Sequence, residues 1–585
     1  MKNITQLVVL LLAALFLLTA CNITPSGTND DTTADTTLGD DTTTGGDEVT
    51  PEDPSANDTT TGGDEGNDEP DEEQPRVGSA VNHDGDAIYY FLEHFKKNGE
   101  YDVTDLEEKA REWFEYRFTD CGISDMIYNI SMTAPFKSDD PDLYDKIDKY
   151  YTTEENGIRV NYKNNESVLT SYLVYEQTDV DPYQVWFEQC RENGMNPWLS
   201  FRMNDVHYAN ERTGLSPFQY KARQNGWLTG NYRQTYWNSN QCTSSSRNWY
   251  AYALNYAIPQ VRERFLKEIE DRLSTYDAYG IELDWHRQIW CFPKDEISNC
   301  KYINELMEEV NKIVEKYEGI YGHDIKISVR LNRDIDEAKY FGFDVRYWAQ
   351  NGWLDVIEPG SYWGSTDSDI PIEEWLEEME PYGVEVWPSL ESHVMAPDHN
   401  YYHTVSTMAG YTAQYLSRGA HKMHLYNLFT VEKARFSVCA SIEAAQKAVK
   451  RSYVVTESNC TPYNVGIKGW DPLPIRMSVN QTNDDIVIKH GTLKYNQDTV
   501  IYVGLSGVSG INEDTLVVKY NGVECEYRGE SNKGFVKSNT GYGTIVAFKI
   551  PQDAVNDSVQ GQITFESGTN LNIIYVELMN GNSRV

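Results

Sequence analysis

Basic residues are missing from one long stretch of this chain. Between Asn22 and Pro75 there is no Lys or Arg, against 17 Asp and Glu. A segment so charged and so poor in apolar side chains cannot bury enough surface to offset its chain entropy, and it is expected to be a disordered tether. Metal-binding spacings are missing too. No Cys-x-x-Cys or His-Glu-x-x-His occurs, so the sequence gives no zinc signal and no cofactor is expected. No Gly-rich phosphate loop follows any candidate strand, which argues against nucleotide binding. Beyond Leu7–Leu18 no apolar run is long enough to cross a membrane. Positive charge is scarce throughout: the net charge is −41, and the body after the tether still carries 74 acidic against 49 basic residues. That excess argues against nucleic acid or an anionic membrane surface as a partner.

What is present begins at the start of the chain. Lys2, the apolar run Leu7–Leu18 and then Leu18-Thr19-Ala20-Cys21 have the order of a signal peptide. The last four residues resemble the lipobox of bacterial lipoproteins, which implies cleavage before Cys21 and a lipid on that cysteine. The expectation is residues 1–21 as signal peptide and 22–75 as tether. The tether holds the repeated octet DTTTGGDE at 41–48 and 58–65. A coil of that length typically reaches about 40 Å, more with like charges repelling. The protein is thus expected on the outer face of a cell membrane, held there only by its lipid. Export permits disulfides, and Cys291 and Cys300 are close in sequence, but a body of this size does not need them.

From 76 to 451, short apolar runs alternate with amphipathic stretches. Candidate strands are Val77–Val81, Asp125–Ile130, Pro197–Arg202, Gly280–Trp285, Ile325–Leu331, Leu354–Glu358, Val384–Leu390 and Lys422–Tyr426. Helices are clearest after Pro259, where Val261, Phe265, Ile269 and Leu273 follow at four-residue steps, and from Ile303 to Val314. A third, around Tyr347 and Trp348, stops before Gly352. Eight such units predict an α/β fold of the (β/α)8 TIM-barrel type, with an open doubly wound sheet as the alternative. Residues 452–585 change texture, to short alternating runs such as Thr499–Val503 and Thr515–Tyr520 between Asn- and Gly-rich turns. They predict a C-terminal β-sandwich that covers one side of the barrel or binds sugar.

Barrel chemistry sits at the C-terminal strand ends. Strand four, Gly280-Ile281-Glu282-Leu283-Asp284, puts Glu282 and Asp284 on one face, and Ile281 and Leu283 suit the helix side. Two inward acids need partners, for which Arg202, Arg287 and Arg330 are available; a structural ion-pair network is the alternative to a catalytic floor. Glycoside hydrolysis needs two carboxyl groups astride the scissile bond. Asp284 and Glu391, from strands four and seven, are expected on opposite sides of the barrel mouth. Asp284 is the expected general acid, tuned by Glu282 and Arg287, and Glu391 the nucleophile or base; Glu282, Glu358 and Asp205 are the reserve candidates for the reacting acids. Arg202, Asn204, Asp205 and Tyr362 are expected to hold hydroxyls. Asp84, Asn129, Glu358, Trp363 and Tyr426 complete the candidate sugar-binding set. The insertion between Asp205 and Pro259 is rich in Tyr and Trp, whose faces suit sugar rings.

The runs GMNPWLSFRMNDVH (194–207), YGIELDWHR (279–287) and WAQNGWLDVIEP (348–359), with the Glu391 strand, resemble the glycosyl hydrolase-like 10 proteins and related bacterial barrel lipoproteins. The resemblance covers the barrel, and a β-sandwich follows the barrel in such proteins. It implies the barrel fold and, less directly, glycosidase activity. Gly280–Trp285 also resembles the strand-four motif of the family-eighteen chitinases. Here Tyr279 stands at the leading Asp position and His286 at the catalytic Glu position, which implies shared barrel geometry and not a chitinase. The sequence therefore predicts a glycoside hydrolase acting on a poly- or oligosaccharide, the alternative being a non-catalytic glycan-binding lipoprotein.

Overall fold

The computed structural model describes residues 78–83, 85–130, 154–155, 158–159, 166–205, 217–229, 253–286, 289–360, 367–392, 402–426, 432–454, 472–496, 498–531, 536–538 and 541–581. The expectations for Cys21, the tether, Asp84, Arg287, Tyr362, Trp363 and much of the aromatic insertion fall outside these residues.

Eight parallel strand positions close into a barrel. They are β1 (Ser79–His83), β2 (Ile123–Asn129), β3 (Asn196–Arg202), β4 (Gly280–Asp284), β5 (Lys326–Asn332), β6 (Val356–Gly360), β7 (in two pieces, Glu385–Val386 and Ser389–Leu390) and β8 (His424–Leu425). β7 is broken at Pro388, which has no N–H for the ladder. Ser389 pairs with Gly360 on one side and with His424 on the other, and β8 pairs with β1, so the ring is complete. Every expected barrel strand overlaps an observed one.

Helices cover the outside. α1 (Pro259–Thr275) starts at its proline and buries Val261, Phe265, Ile269 and Leu273. α2 (Lys301–Tyr321) buries Ile303, Leu306, Met307, Val310 and Val314, and stops at Gly322, whose φ of 78° suits glycine. α3 (Ile335–Tyr340) and α4 (Val345–Gln350) follow β5, and α5 (Val405–Ser417) precedes β8.

Period-two alternation stacks the interior in layers. The lowest is apolar: Ala80, Ile127, Trp198, Val356 and Trp387 form one cluster. Gly280 leaves the room for this plug, because a Cβ there would lie 2.3 Å from the Trp198 ring. The next residues inward on each strand are polar. Glu282 is in register with Ser200 and Ser328, and Asp284 with Arg202 and Arg330.

Two antiparallel sheets follow the barrel. The larger includes Lys450–Tyr453, Leu571–Asn580, Thr499–Ser506 and Gly541–Lys549; the smaller includes Gln481–Lys489, Gln560–Ser567 and Leu516–Tyr520. They share an apolar core containing Ile486, Val503, Val518, Phe548, Phe565 and Val576, the arrangement of a β-sandwich. Asn521 and Gly522 both take positive φ, 49° and 81°, and join two strands of the smaller sheet as a tight hairpin. The strand Lys450–Tyr453 begins the sandwich, so the boundary expected after residue 451 falls inside a strand. Tyr502, Ile545, Ala547 and Tyr575 of the larger sheet join the barrel's own apolar cluster. The sandwich thus covers one side of the barrel. The possible Cys291–Cys300 pair is not formed: both are free thiols.

Candidate functional site

The polar interior is organised by Arg330, on β5 and 1 % exposed. Its guanidinium donates to Asp284 Oδ1 at 3.0 Å, to Glu391 Oε1 at 2.9 Å and to Ser389 Oγ at 3.2 Å. The Tyr426 ring lies against it, 3.5 Å from ring centre to Cζ. The Tyr426 hydroxyl donates to Asp284 Oδ2 at 2.7 Å. Burial alone would lower the Arg330 pKa, but the neighbouring Asp284, Tyr426 and Glu391 side chains outweigh it and hold the group charged. Asp284, Glu391 and Tyr426 therefore do meet, on strands four, seven and eight, at the C-terminal end of the barrel.

Their arrangement differs from the one expected. Asp284 and Glu391 do not face each other from opposite sides of an open mouth; they share one cation and are both buried. Both Asp284 oxygens accept hydrogen bonds, from Arg330 and Tyr426, which fixes the orientation of the carboxyl group.

Glu282 lies one layer lower, away from these carboxylates' partners. Its Oε1 accepts from Asn82 Nδ2 at 2.7 Å and from the Ser200 hydroxyl, and its Oε2 is 3.0 Å from His424 Nε2. Burial pushes the Glu282 carboxyl up, but His424 and Ser200 outweigh it and hold it below its ordinary value. Glu358 sits beside it, with Oε2 3.8 Å from the same imidazole nitrogen. Burial, then the Glu282 charge, push Glu358 well above the carboxylate range. Glu282 and Glu358, expected to react with or bind substrate, are completely buried beneath Asp284 and form an internal acid pair. Among the described residues, Glu282, Glu358 and His424 are also the group able to hold a metal ion, with ligand atoms within 4.8 Å of one another.

The remaining candidates divide. Arg202, expected as a partner of the inward acids and a holder of hydroxyls, pairs with Asp205 at 3.3 Å. Asn204 braces the barrel wall: its amide donates to the Trp290 carbonyl at 3.1 Å and accepts from the Leu254 N–H at 2.9 Å. Fully buried and so engaged, it is not available to a sugar hydroxyl. Asn129, at the end of β2, is buried as well. His286 is enclosed, and burial, then Arg330, push its imidazole well below its ordinary pKa. Just beyond β5, burial and the Asp334 charge raise the Glu337 carboxyl to about 8 in spite of Arg333.

Sequence reasoning missed His424, Ser389, Ser200 and Ser328. For His424 the signal was available: it lies two residues before Tyr426, so an inward Tyr426 requires an inward His424. The serines carry no such mark, because a small hydroxyl on a strand is equally at home in a packed core.

No protein-family model and no curated protein matches this chain. Solved structures do. The glycoside hydrolase domain of PgaB (BpsB) from Bordetella bronchiseptica is 11 % identical, with 60 % of this chain and 92 % of that one covered and a TM-score of 0.31. A family 18 N-acetylglucosaminidase from Paenibacillus barengoltzii is 8 % identical, covering 63 % and 100 %, with a TM-score of 0.32. The α-L-fucosidase isoenzyme 2 from Paenibacillus thiaminolyticus is 11 % identical, covering 64 % of this chain and 49 % of that one, with a TM-score of 0.35. What the site can do follows from its own residues.

Proposed function

We propose that the protein is a glycoside hydrolase acting on a poly- or oligosaccharide, with Asp284 and Glu391 as its reacting pair. The observation that carries this reading is the convergence of the two carboxylates on Arg330 at the C-terminal end of the barrel strands. Asp284, oriented by Arg330 and Tyr426, is the nucleophile. Glu391, just past the end of β7, gives its proton to the leaving oxygen and then activates water as a base. Two carboxyl groups on one guanidinium are held near each other, which favours the spacing of about 5–5.5 Å used by retaining enzymes. Arg330 stands between the two carboxyl groups and screens them from each other until the sugar's own positive charge develops.

The test is a screen of polysaccharides for released reducing ends, followed by Asp284→Asn and Glu391→Gln on the active substrate. Both variants should keep the wild-type circular dichroism and lose the activity. Wild-type rates in both would overturn the assignment. The deep burial of the pair supports a second reading, a non-catalytic glycan-binding protein. It predicts sugar binding that survives both substitutions and no product from any glycan.

We further propose that a lipid on Cys21 holds this domain at the outer face of a cell membrane. The order of apolar run, small residues and cysteine supports it. Cys21→Ser should then release the protein into the medium, and retention of the variant in the membrane fraction would refute the anchor.

A further inference from the structure

We propose that Glu282, Glu358 and His424 form a binding site for a divalent transition-metal ion inside the barrel, one layer beneath the Asp284–Arg330–Glu391 group. The proposal goes beyond the hydrolase reading and does not depend on it.

Three observations converge. The first is spacing. His424 Nε2 lies 3.0 Å from Glu282 Oε2 and 3.8 Å from Glu358 Oε2. Two ligands on a cation with bonds of about 2.1 Å stand roughly 3–3.5 Å apart, between these values.

The second is the way each side chain is tied. Glu282 Oε1 is satisfied by Asn82 and Ser200, and His424 Nδ1 is 2.9 Å from Ser389 Oγ. The outward atoms of both ligands are anchored, which aims Oε2 and Nε2 at one point. Metal ligands are oriented in this manner, with the atom that does not touch the metal held by a hydrogen bond.

The third is what the inward atoms lack. Glu282 Oε2, both oxygens of Glu358, His424 Nε2 and Ser328 Oγ have no hydrogen bond of normal geometry, although all four residues are fully buried. Poorly satisfied polar atoms cost free energy in a dry interior, and here they cluster around the 3.0 Å contact of His424 Nε2 with Glu282 Oε2. A divalent ion would meet ligand atoms of Glu282, Glu358 and His424 at once. Two carboxylates and an imidazole form a mixed oxygen–nitrogen set that suits zinc or manganese. The site is sealed, so the ion would be structural. Through His424 and Ser389, which also receives the Arg330 Nε bond, it would fix the guanidinium that holds the two upper carboxylates.

The test uses the full chain, stripped with chelator and then offered Zn²⁺ or Mn²⁺ separately. After gel filtration the wild type should retain one equivalent of at least one ion and unfold at a higher temperature than the stripped protein. Glu358→Gln and His424→Gln should each weaken retention by about 10–100-fold or more. The X-ray absorption spectrum of the zinc-loaded wild type keeps the question open to refutation even if the variants do not fold. An imidazole signature is expected, and it cannot come from residues 22–75, which contain no histidine. No retained ion of either kind, or bound zinc with an oxygen-only shell, would overturn the proposal. So would full retention in both folded variants.

Discussion

The barrel and the sandwich bury opposite things. On the facing strands of the sandwich the inward positions are apolar, as at Ile486, Val503, Val518 and Phe565. In the barrel only the lowest layer is like that; above it the inward positions of β3 to β8 carry Ser200, Glu282, Asp284, Arg330, Glu358 and His424. An apolar core tolerates volume-conserving change and gains from every buried methylene. A polar core has to satisfy each group, so its members depend on one another. The part of the molecule that gives up apolar burial is the part equipped for chemistry.

The sharpest way to break this contrast is to read activity. Asp284→Asn or Glu391→Gln should lower the hydrolysis rate by about 10³-fold or more, while a core truncation in the sandwich such as Val503→Ala should leave the rate per folded molecule unchanged. Equal losses from both regions would remove the division of labour.

The next effect is on stability. Arg330→Met leaves Asp284 and Glu391 buried without their cation and should cost about 3–5 kcal/mol. Phe565→Ala in the sandwich should cost a similar amount, about 3–5 kcal/mol, by opening a cavity. A second substitution separates the two mechanisms. Adding Asp284→Asn should recover part of the loss in the Arg330 variant, whereas a cavity at Phe565 is not relieved by removing a charge. Urea unfolding measures both, and a lack of rescue would mean that charge is not what Arg330 balances.

The pH response should have opposite signs in the two regions. In the barrel, Glu337 is raised to about 8 by burial and Asp334. A raised carboxyl favours the folded state below its unfolded pKa and loses that contribution as pH rises through its folded one. The barrel should therefore weaken between about pH 4.5 and 8, and Glu337→Gln should flatten the slope. In the sandwich, His490 is lowered to about 4 by burial, with its Nε2 2.8 Å from the Tyr520 hydroxyl. Its contribution is complete above about pH 6.5 and is lost as pH falls toward the folded value, an effect that His490→Asn should remove. Each effect should be on the order of 2 kcal/mol, and unfolding midpoints across pH would expose a common sign if the assignment is wrong.

The smallest contrast is between two glycines. Gly522→Ala, at φ 81° in an open hairpin turn, meets nothing within 4 Å and should cost about 1 kcal/mol of backbone strain. Gly280→Ala drives its methyl into the Trp198 ring and should cost about 1–3 kcal/mol. A thermal melt of each resolves the order.

Much of the fold was legible because its cause is local. Apolar runs of strand length, the proline opening α1 and the glycine closing α2 each act over a few residues. The placing of Asp284 and Glu391 at the C-terminal ends of barrel strands was legible for the same reason. Their sharing of one guanidinium was not. The geometry that makes Asp284 an acceptor comes from Arg330 on β5 and Tyr426 after β8, which meet it only when the ring closes. Arg202 read as a partner for the two inward acids, yet it also reaches Asp205, three residues away on its own loop. Asn204 read as a hydroxyl binder because its two backbone partners lie about fifty and eighty-six residues further along the chain.

The strand Leu571–Asn580 pairs with Lys450–Tyr453, Ile475–Met477 and Thr499–Ser506 and runs through the middle of the larger sheet. Lys450–Tyr453 in turn lies so close on α5 that a Cβ at Gly410 would come within 1.9 Å of the Arg451 carbonyl oxygen. Arg451 itself reaches Glu577, which also receives the Tyr575 hydroxyl. A ribosome therefore delivers this central strand after every partner it pairs with. Until the residues near 580 emerge, the earlier strands of the sheet have no central partner and the flank of α5 has no finished cover. The cover over α5 is thus finished only when synthesis has passed well beyond the barrel.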